Sequence, residues 1–321
     1  MRPLGTQRLL IHAFLGLFVF ACSLPQTVTP AASTVIARVE HETRTLLPTL
    51  PYTPTPTITF SLTPSFTQLP TSSQTVSSTP TEPPSPTPQS WSYFIIGFSV
   101  DRRPLDVYQF GSGANERMIV AGIHGGNEWN TIALAEEMIA HIKVHPEIVP
   151  ADVTLYILHD LNPDGEARGH DANGRANAHG VDLNRNWAAN WKAQWNDEKC
   201  WNLRPISAGR YAFSEPETKA LQLFLLHHSI NALLSYHSAA LGIFPGGLPP
   251  DKNSIRLAKA IAAVSTYPYP PLIIGCEYTG TLVDWASFHG IAALDVELSN
   301  HTDIEFEMNL RILNAFLNWK P

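Results

Sequence analysis

Residues 24–90 form a long stretch that cannot build a hydrophobic core, and this limits how much of the chain can fold. The stretch contains TLPYTPTPTITFSLTPSFTQLPTSSQTVSSTPTEPPSPTPQS, in which proline, serine and threonine dominate and apolar residues follow no period. Too little apolar surface is available there to offset the entropy that ordering costs. Such compositions favour extended, polyproline-like spacers. We therefore expect residues 23–90 to be a disordered tether and residues 91–321 to hold the folded domain.

The chain begins with a segment typical of a secretory signal. Arg2 and Arg8 precede an apolar run from Leu9 to Ala21, which is too short to span a bilayer comfortably and ends just before Cys22. The tetrapeptide VFAC resembles a bacterial lipobox, whose cysteine becomes the lipidated N-terminus. This resemblance implies that residues 1–22 are a lipoprotein signal and that Cys22 anchors a secreted protein to the outer face of the bacterial cell membrane. Ordinary signal cleavage beside a chance cysteine is the alternative.

Residues 91–321 supply enough chain for one sizeable core. Apolar runs of strand length, such as RMIVAGI and VTLYIL, alternate with stretches such as NTIALAEEMIAHIKVH, whose apolar residues recur at helical spacing. This alternation predicts an α/β fold with a mixed, largely parallel central sheet flanked by helices. In such sheets ligands bind beyond the carboxyl ends of the strands, so polar residues at strand ends are the candidate site residues.

The net charge of the predicted domain limits its possible partners. The first ninety residues hold four arginines and three glutamates, a net charge of +1. Because the whole chain carries −7, the predicted domain carries −8. An acidic domain argues against a nucleic-acid partner.

Beyond Cys22 the chain has only Cys200 and Cys276. Outside the cell these two can form a disulfide, although the sequence does not show that they meet.

The stretch HGGNEWNT, residues 124–131, places two metal-binding side-chain types between a strand and a helix. His124 and Glu128 are of the types that ligate zinc, and the two glycines allow a tight loop. A second imidazole, His237, follows the apolar strand in LLSYHSA. A histidine at a strand end is more often a hydrogen-bonded structural residue, so these residues indicate a zinc site only together with further motifs.

Two further motifs add carboxylate recognition and a buried acid. GVDLNRNW offers the amide of Asn184 and the planar guanidinium of Arg185, a pair suited to binding a carboxylate at both oxygens. AALDVELSN places Glu297 in an otherwise apolar strand, where a carboxylate is costly without a partner or a function. Asp295 has the same strand parity, so spacing alone does not choose between the two acids.

The order of these motifs resembles that of the zinc carboxypeptidases of the carboxypeptidase A/B family, especially the compact bacterial members that trim cell-wall peptides. The matching segments are NPDG, GVDLNRNW, SEPET, SYHS, and VDWA followed by DVEL, within a region from Ser92 to Trp319. The resemblance implies that family's α/β sandwich, one bound zinc ion per chain, and hydrolysis of the C-terminal peptide bond of peptides. The implied partner is a peptide with a free C-terminus, and we expect a monomer.

The resemblance implies that His124, Glu128 and His237 are the zinc ligands. The spacing departs from the family pattern His-x-x-Glu, because HGGNE has one residue more and puts Asn127 at the expected place. An asparagine is a poor zinc ligand, and the glycine pair can absorb the extra residue. Glu128 is therefore the predicted carboxylate ligand.

The resemblance also implies three catalytic positions. Glu297 corresponds to the general base that activates a water molecule, with Asp295 as the next candidate. Arg175 corresponds to the arginine that polarises the scissile carbonyl, and Arg168 stays open as an alternative. Tyr278 corresponds to the mobile tyrosine that closes on the substrate, although its spacing to VDW is shorter than usual.

The substrate-binding positions leave the released residue open. Asn184 and Arg185 correspond to the pair that holds the C-terminal carboxylate, and Val283 corresponds to the floor of the specificity pocket. An apolar floor argues against lysine or arginine at the C-terminus and favours an apolar terminal residue. A peptidoglycan stem peptide containing diaminopimelate is the rival substrate, suggested by the compact domain and the tether.

Two other functions remain as alternatives. The related zinc deacylases, which cleave N-acyl amino acids, have C-terminal additions and a shorter carboxylate motif, and the full DLNRNW argues against them. A tethered peptide or cell-wall binder with a degenerate metal site is the non-enzymatic alternative, and the irregular HGGNE motivates it.

Overall fold

The computed structural model of the chain describes residues 91–195, 203, 205–272 and 276–321. The predicted signal peptide and the predicted tether lie outside these residues and stay predictions. Cys276 is disulfide-bonded. Its pairing with Cys200 stays a prediction as well, because Cys200 lies outside the described residues.

A mixed seven-stranded sheet runs through the described residues and confirms the expected α/β architecture. Its strands are β1 (Trp91–Phe98), β2 (Pro104–Gly111), β3 (Asn115–Val120), β4 (Val153–Leu158), β5 (Ile230–Ser238), β6 (Ile243–Pro245) and β7 (Ala292–Leu298). The spatial order is β1-β2-β4-β3-β5-β7-β6. The central strands β4, β3, β5 and β7 pair in parallel, whereas β1, β2 and β6 join them through antiparallel pairs.

Helices cover both faces of this sheet. They are α1 (Trp129–Val144), α2 (Pro163–Glu166), α3 (Pro216–His227), α4 (Lys252–Ala262), α5 (Leu282–Phe288) and α6 (Phe306–Asn318). Helices α1, α4 and α6 contribute to one core and α3 and α5 to a second. The neighbouring β3 residues Met118 and Ile119 belong to different cores, as alternation along a strand requires. None of the helices among the described residues has the length and apolar character that a bilayer crossing needs.

Burial on both faces explains the apolar composition of the central strands. Every residue of VTLYIL in β4 is buried, because helices cover both sides of a parallel sheet. β1 lies at the edge of the sheet and leaves Tyr93 and Ile95 exposed. The hydrophobic run of a central strand therefore reports its position in the sheet, not only its conformation.

The carboxyl ends of the parallel strands β3, β5 and β7 carry the predicted site. His124 follows β3 after the short segment 121–123. His237 and Glu297 lie near the ends of β5 and β7, and their Cα atoms are partners across the two strands. Because these strands are parallel, their ends meet at one edge of the sheet, where α/β folds bind ligands.

Candidate active site

Three predicted ligands, His124, Glu128 and His237, converge in the buried interior of this edge. Nδ1 of His124 lies 2.8 Å from Oε1 of Glu128 and 3.2 Å from Nδ1 of His237. Nδ1 of His237 lies 3.1 Å from Oε2 of Glu128. One ligand atom from each residue falls within 4.8 Å of the others. Two imidazoles and one carboxylate at this separation form a donor set that zinc prefers.

The outer ring nitrogens of both histidines face hydrogen-bond acceptors. Nε2 of His124 lies 3.2 Å from Oδ1 of Asp182. Nε2 of His237 lies 3.1 Å from Oγ of Ser235 and 3.2 Å from Oδ1 of Asp295. An acceptor at Nε2 holds the ring proton there and leaves the Nδ1 lone pair for a metal. Two such lone pairs and a carboxylate facing one another fit a divalent cation between them.

The charge environment of Glu128 agrees with a ligand role. Burial raises the pKa of its carboxyl, but the adjacent His124 and His237 outweigh burial and hold that pKa well below its ordinary value. The carboxylate is therefore ionised throughout the physiological range. Zinc requires ligands in this deprotonated form.

A short 3-10 turn, Gly125–Glu128, absorbs the extra residue of HGGNE. Gly125 has φ +46°, a backbone conformation that favours glycine. A Cβ atom on Gly126 would lie 2.2 Å from the carbonyl oxygen of Gly169, so this position also requires glycine. The turn brings Glu128, and not Asn127, to the two histidines, while Asn127 lines the adjacent cavity.

Arg175 is the arginine that reaches the cluster. Its Nε donates to Oδ2 of Asp182 at 3.0 Å, and its NH1 donates to Oε1 of Glu128 at 3.3 Å. Arg168 instead donates to the backbone carbonyls of Asn173, Ala176 and Asn177. Between the two arginines that the sequence left open, the geometry favours Arg175.

Asn184 and Arg185 lie on the 3-10 turn Leu183–Arg185, beside the cluster. Oδ1 of Asn184 accepts from the backbone N–H of Leu282 at 2.9 Å, which fixes the amide. Arg185 is buried, and its guanidinium lies 4.7 Å from the ring centroid of Trp195 and 5.4 Å from that of Tyr278. Within the described part of the chain its Nε has no hydrogen-bond partner.

Burial lowers the pKa of Arg185 from its ordinary value. A buried guanidinium with an unused donor is costly, and an incoming carboxylate removes that cost by accepting a hydrogen bond. The arrangement around Arg185 therefore suits binding of an anion.

Glu297 is buried on β7, where its carboxylate accepts one hydrogen bond from the described residues. Its Oε2 accepts from the backbone N–H of Ala240 at 3.1 Å. Burial raises the pKa of Glu297 to about 8, and the nearby Glu128 and Asp295 contribute to the increase, while His237 opposes it. A carboxyl group whose pKa lies near neutrality can accept and donate a proton in one reaction.

Tyr278 faces the same region. Its hydroxyl is buried and has no hydrogen-bond partner among the residues that the structure describes. Burial raises its pKa to about 12, so the hydroxyl stays protonated and can donate to a ligand.

A single cavity of about 370 Å³ joins all of these groups. The sequence-predicted residues that line it are His124, Glu128, Arg175, Asn184, Arg185, His237, Tyr278, Val283 and Glu297. Residues 113 positions apart in the chain thus meet in one site, with the two imidazole rings at a centroid separation of 4.8 Å.

Sequence reasoning missed the acceptors behind the histidines and a further acid in the cavity wall. Asp182 lies two residues before Asn184 in GVDLNRNW, and Ser235 lies two residues before His237 on the same face of β5. Asp182 could have been found because it belongs to the same motif as Asn184. Ser235 could have been found because residues two apart on a strand point to the same face. Asp284 also lines the cavity, and its adjacency to Val283 was the available signal.

The comparisons with known proteins agree with this geometry. The model of a family described as zinc carboxypeptidase matches residues 85–313. Carboxypeptidase A1 of Bos taurus is 31% identical over 240 residues, which cover 64% of this chain and 56% of that protein. Murein peptide amidase A of Escherichia coli K12 is 29% identical over 212 residues, covering 64% of this chain and 80% of that protein. The chain thus spans little more than half the length of the carboxypeptidase A1 relatives.

Solved structures show the same fold. A structure of bovine thrombin-activatable fibrinolysis inhibitor, in complex with tick carboxypeptidase inhibitor, matches with a TM-score of 0.59 at 23% identity, covering 72% of this chain and 90% of that one. Murein-tripeptide amidase from Escherichia coli O157 matches with a TM-score of 0.52 at 23% identity, covering 71% and 92%.

Proposed function

Because the chain belongs to the zinc carboxypeptidase family, we propose that it is a zinc-dependent metallocarboxypeptidase that hydrolyses the C-terminal peptide bond of peptides. One observation carries the proposal. A buried arginine with an unused donor, Arg185, lines the same cavity as the His124–Glu128–His237 cluster. A carboxylate-binding group beside a metal-binding group is the combination that cleavage at a free chain end requires.

His124, Glu128 and His237 would hold one zinc ion, with Asp182 and Ser235 fixing the two imidazoles from behind. When bound, zinc supplies a Lewis acid that polarises the scissile carbonyl and makes a water molecule more acidic. The remaining chemistry belongs to side chains of this domain.

Glu297 would remove a proton from the attacking water and deliver it to the leaving amine. Its pKa of about 8 applies to the protein alone. A cation beside Glu297 lowers this pKa, because a nearby positive charge favours the ionised carboxylate. The ionised form is the one that a general base needs.

Arg175, buried beside Glu128, would stabilise the negative charge that develops on the carbonyl oxygen. Asn184 and Arg185 would bind the terminal carboxylate and so fix which peptide bond reaches the reacting groups. Tyr278 would donate its unpaired hydroxyl to the bound peptide.

A peptidoglycan stem peptide is the second candidate substrate. The similarity to murein peptide amidase A favours it, because this chain covers a larger share of that protein than of carboxypeptidase A1. The tether and the lipobox-like VFAC add to it, since we propose that Cys22 anchors the domain at the outer face of the cell membrane. A non-catalytic binder is less well supported, because Glu128 joins the histidines despite the irregular spacing.

Metal analysis together with turnover of two matched peptides tests the proposed function. The peptides share one sequence, but one has a free C-terminus and the other a C-terminal amide. We expect about one zinc per chain and cleavage of the free peptide only. Cleavage of both would contradict the carboxypeptidase assignment, and stoichiometric zinc without cleavage of either would favour the binder.

A further inference from the structure

The cavity contains an acid that the proposed mechanism does not use. Asp295 lies on β7 two residues before Glu297, so both side chains point to the same face of the strand. Its side chain is 13% exposed and lines the cavity. Asp295 therefore lies in the cavity wall, one strand repeat before the proposed general base.

The hydrogen-bonding capacity of Asp295 is only partly used. Its Oδ1 is buried and forms no hydrogen bond of good geometry with the described residues. Oδ1 lies 3.2 Å from Nε2 of His237, and that nitrogen also lies 3.1 Å from Oγ of Ser235, so a proton on Nε2 is shared between two oxygens. A buried carboxylate with few donors is costly, and a ligand that donates to it reduces the cost.

A second acid makes the same part of the cavity more negative. Asp284 is buried in the cavity wall, and its Oδ1 accepts from the backbone N–H of Gly247 at 2.7 Å. Burial raises the pKa of Asp284, and Asp295 contributes to that increase, so the two carboxyl groups interact. Arg185 is a nearby cation, and in the proposed function the terminal carboxylate of the substrate pairs with it. Asp284 and Asp295 would then no longer have Arg185 as their counter-ion.

Apolar residues form much of the remaining lining of the cavity. They include Ala239, Ala240, Phe244, Leu248 and Val283. Walls of this kind pack against methylene groups, whereas the carboxylate of Asp295 favours a cationic donor, because hydrogen bonds between opposite charges are the stronger ones. A long aliphatic side chain that ends in an ammonium group satisfies both.

We propose that Asp295 is a specificity-determining residue that binds the ammonium group on the side chain of the released C-terminal residue. The inference rests on the proposed function. It assigns the substrate class as peptides ending in a diamino acid, of which lysine and diaminopimelate are two sources with the same chemistry. Val283 alone favoured an apolar terminal residue, because no acid lies at that position. Asp295 on β7 supplies an acid to the same cavity, so the inference replaces that expectation.

The alternative role for Asp295 is to orient His237. The two roles differ in what a charge-neutral replacement does. Loss of an ammonium receptor changes the preference among C-terminal residues, whereas loss of an orienting group weakens zinc binding and slows all substrates alike. The variant Asp295→Asn keeps the shape of the side chain and removes its charge, so it separates the two roles.

The experiment uses zinc-loaded protein and peptides that differ only in their last residue, which is lysine, norleucine or diaminopimelate. Norleucine matches the lysine stem without the ammonium group. We expect the wild-type kcat/KM to be about tenfold or more higher for lysine than for norleucine. In Asp295→Asn we expect that ratio to fall to about one at whatever absolute turnover the variant retains, because a uniform effect through His237 cancels in the ratio. Asp106→Asn, on β2 and outside the cavity lining, is the charge-matched control.

Equal wild-type turnover of the lysine and norleucine peptides would overturn the inference and leave the proposed function intact. A uniform loss in Asp295→Asn, accompanied by loss of zinc, would overturn it in favour of the orienting role. If no peptide is cleaved, the proposed function fails. The inference is then decided by calorimetry, which compares the affinity of the protein for free lysine with its affinity for free norleucine. The diaminopimelate peptide distinguishes the source: higher kcat/KM than for lysine indicates a cell-wall peptide.

Discussion

His237 and Glu297 are Cα partners on the adjacent parallel strands β5 and β7. This pairing sets the proposed metal ligand and the proposed general base side by side through backbone hydrogen bonds, and not through a flexible loop. Functional groups built on sheet strands are held more precisely than groups on loops. The separation between the proposed ligand and the proposed base is therefore set by the register of the sheet.

Replacing Glu297 by glutamine separates catalysis from metal binding. Glutamine keeps the size of the side chain but accepts no proton, while the His124–Glu128–His237 cluster is left intact. We expect zinc content to stay at one per chain and kcat to fall by about 10²–10⁴-fold, the usual contribution of a positioned acid–base group. Retained activity would identify another base, with Asp295 on the same strand face as the first to examine.

Replacing Glu128 or Asn127 by alanine tests which residue after His124 binds zinc. Glu128→Ala removes one of the three proposed ligands, so we expect zinc affinity to fall by about 10²-fold or more, which is at least the loss expected when a residue that only hydrogen-bonds a ligand is replaced. Asn127→Ala is the matched control and should leave the affinity unchanged. Competition with a fluorescent chelator measures both. The reverse order of effects would make Asn127 the ligand and the turn assignment wrong.

The residues that line this cavity could be predicted from the sequence because most lie in short local motifs, several of them at the end of a strand. The α/β class and the flanking helices followed from apolar runs, as the sheet confirms. The sequence alone did not decide whether Glu128 or Asn127 approaches the two histidines. That choice depends on how the turn at Gly125 and Gly126 packs against Gly169. That contact joins segments more than forty residues apart.

The neighbours of the predicted residues were harder to foresee. Ser235 and Asp182 hold the histidines through contacts that depend on where two strands and a loop meet. Asp295 was weighed as a rival base because parity gives only its face. Its position in the cavity wall depends on the pairing of β7 with both β5 and β6. Sequence patterns report local conformation and one face of a strand, and they do not report which distant side chains share a cavity.

Replacing Arg185 by alanine should abolish the preference for a free chain end. The buried guanidinium is the group available to a terminal carboxylate, and removing one partner of a buried charge pair costs about 2–5 kcal/mol, or roughly 30-fold to several thousandfold. We expect kcat/KM for the free peptide to fall by that factor. Arg185→Lys should restore little, because an ammonium cannot reproduce the planar fork. Full activity of the lysine variant would show that charge alone suffices.

The buried acid Glu217 should make the stability of the domain depend on pH without any role in catalysis. Its Oε1 accepts from the backbone N–H of Val100 at 3.1 Å, and its Oε2 accepts from Nδ2 of Asn177 at 3.2 Å. Burial raises its pKa to about 6, and the nearby Glu215 contributes to the increase. Glu217→Gln removes the titration while keeping a side chain of the same size.

The folded-state pKa of Glu217 lies above the unfolded value of 4.5, so the folded protein binds the extra proton. The resulting stabilisation is fully present below about pH 4.5 and is lost as the pH rises through about 6. A shift from 4.5 to about 6 corresponds to about 2 kcal/mol. We therefore expect the unfolding free energy of Glu217→Gln, relative to wild type, to increase by about 2 kcal/mol between pH values of about 4.5 and 7.5, as measured by urea unfolding. Parallel stability curves would contradict this, because every other acid titrates equally in both proteins and cancels in the difference.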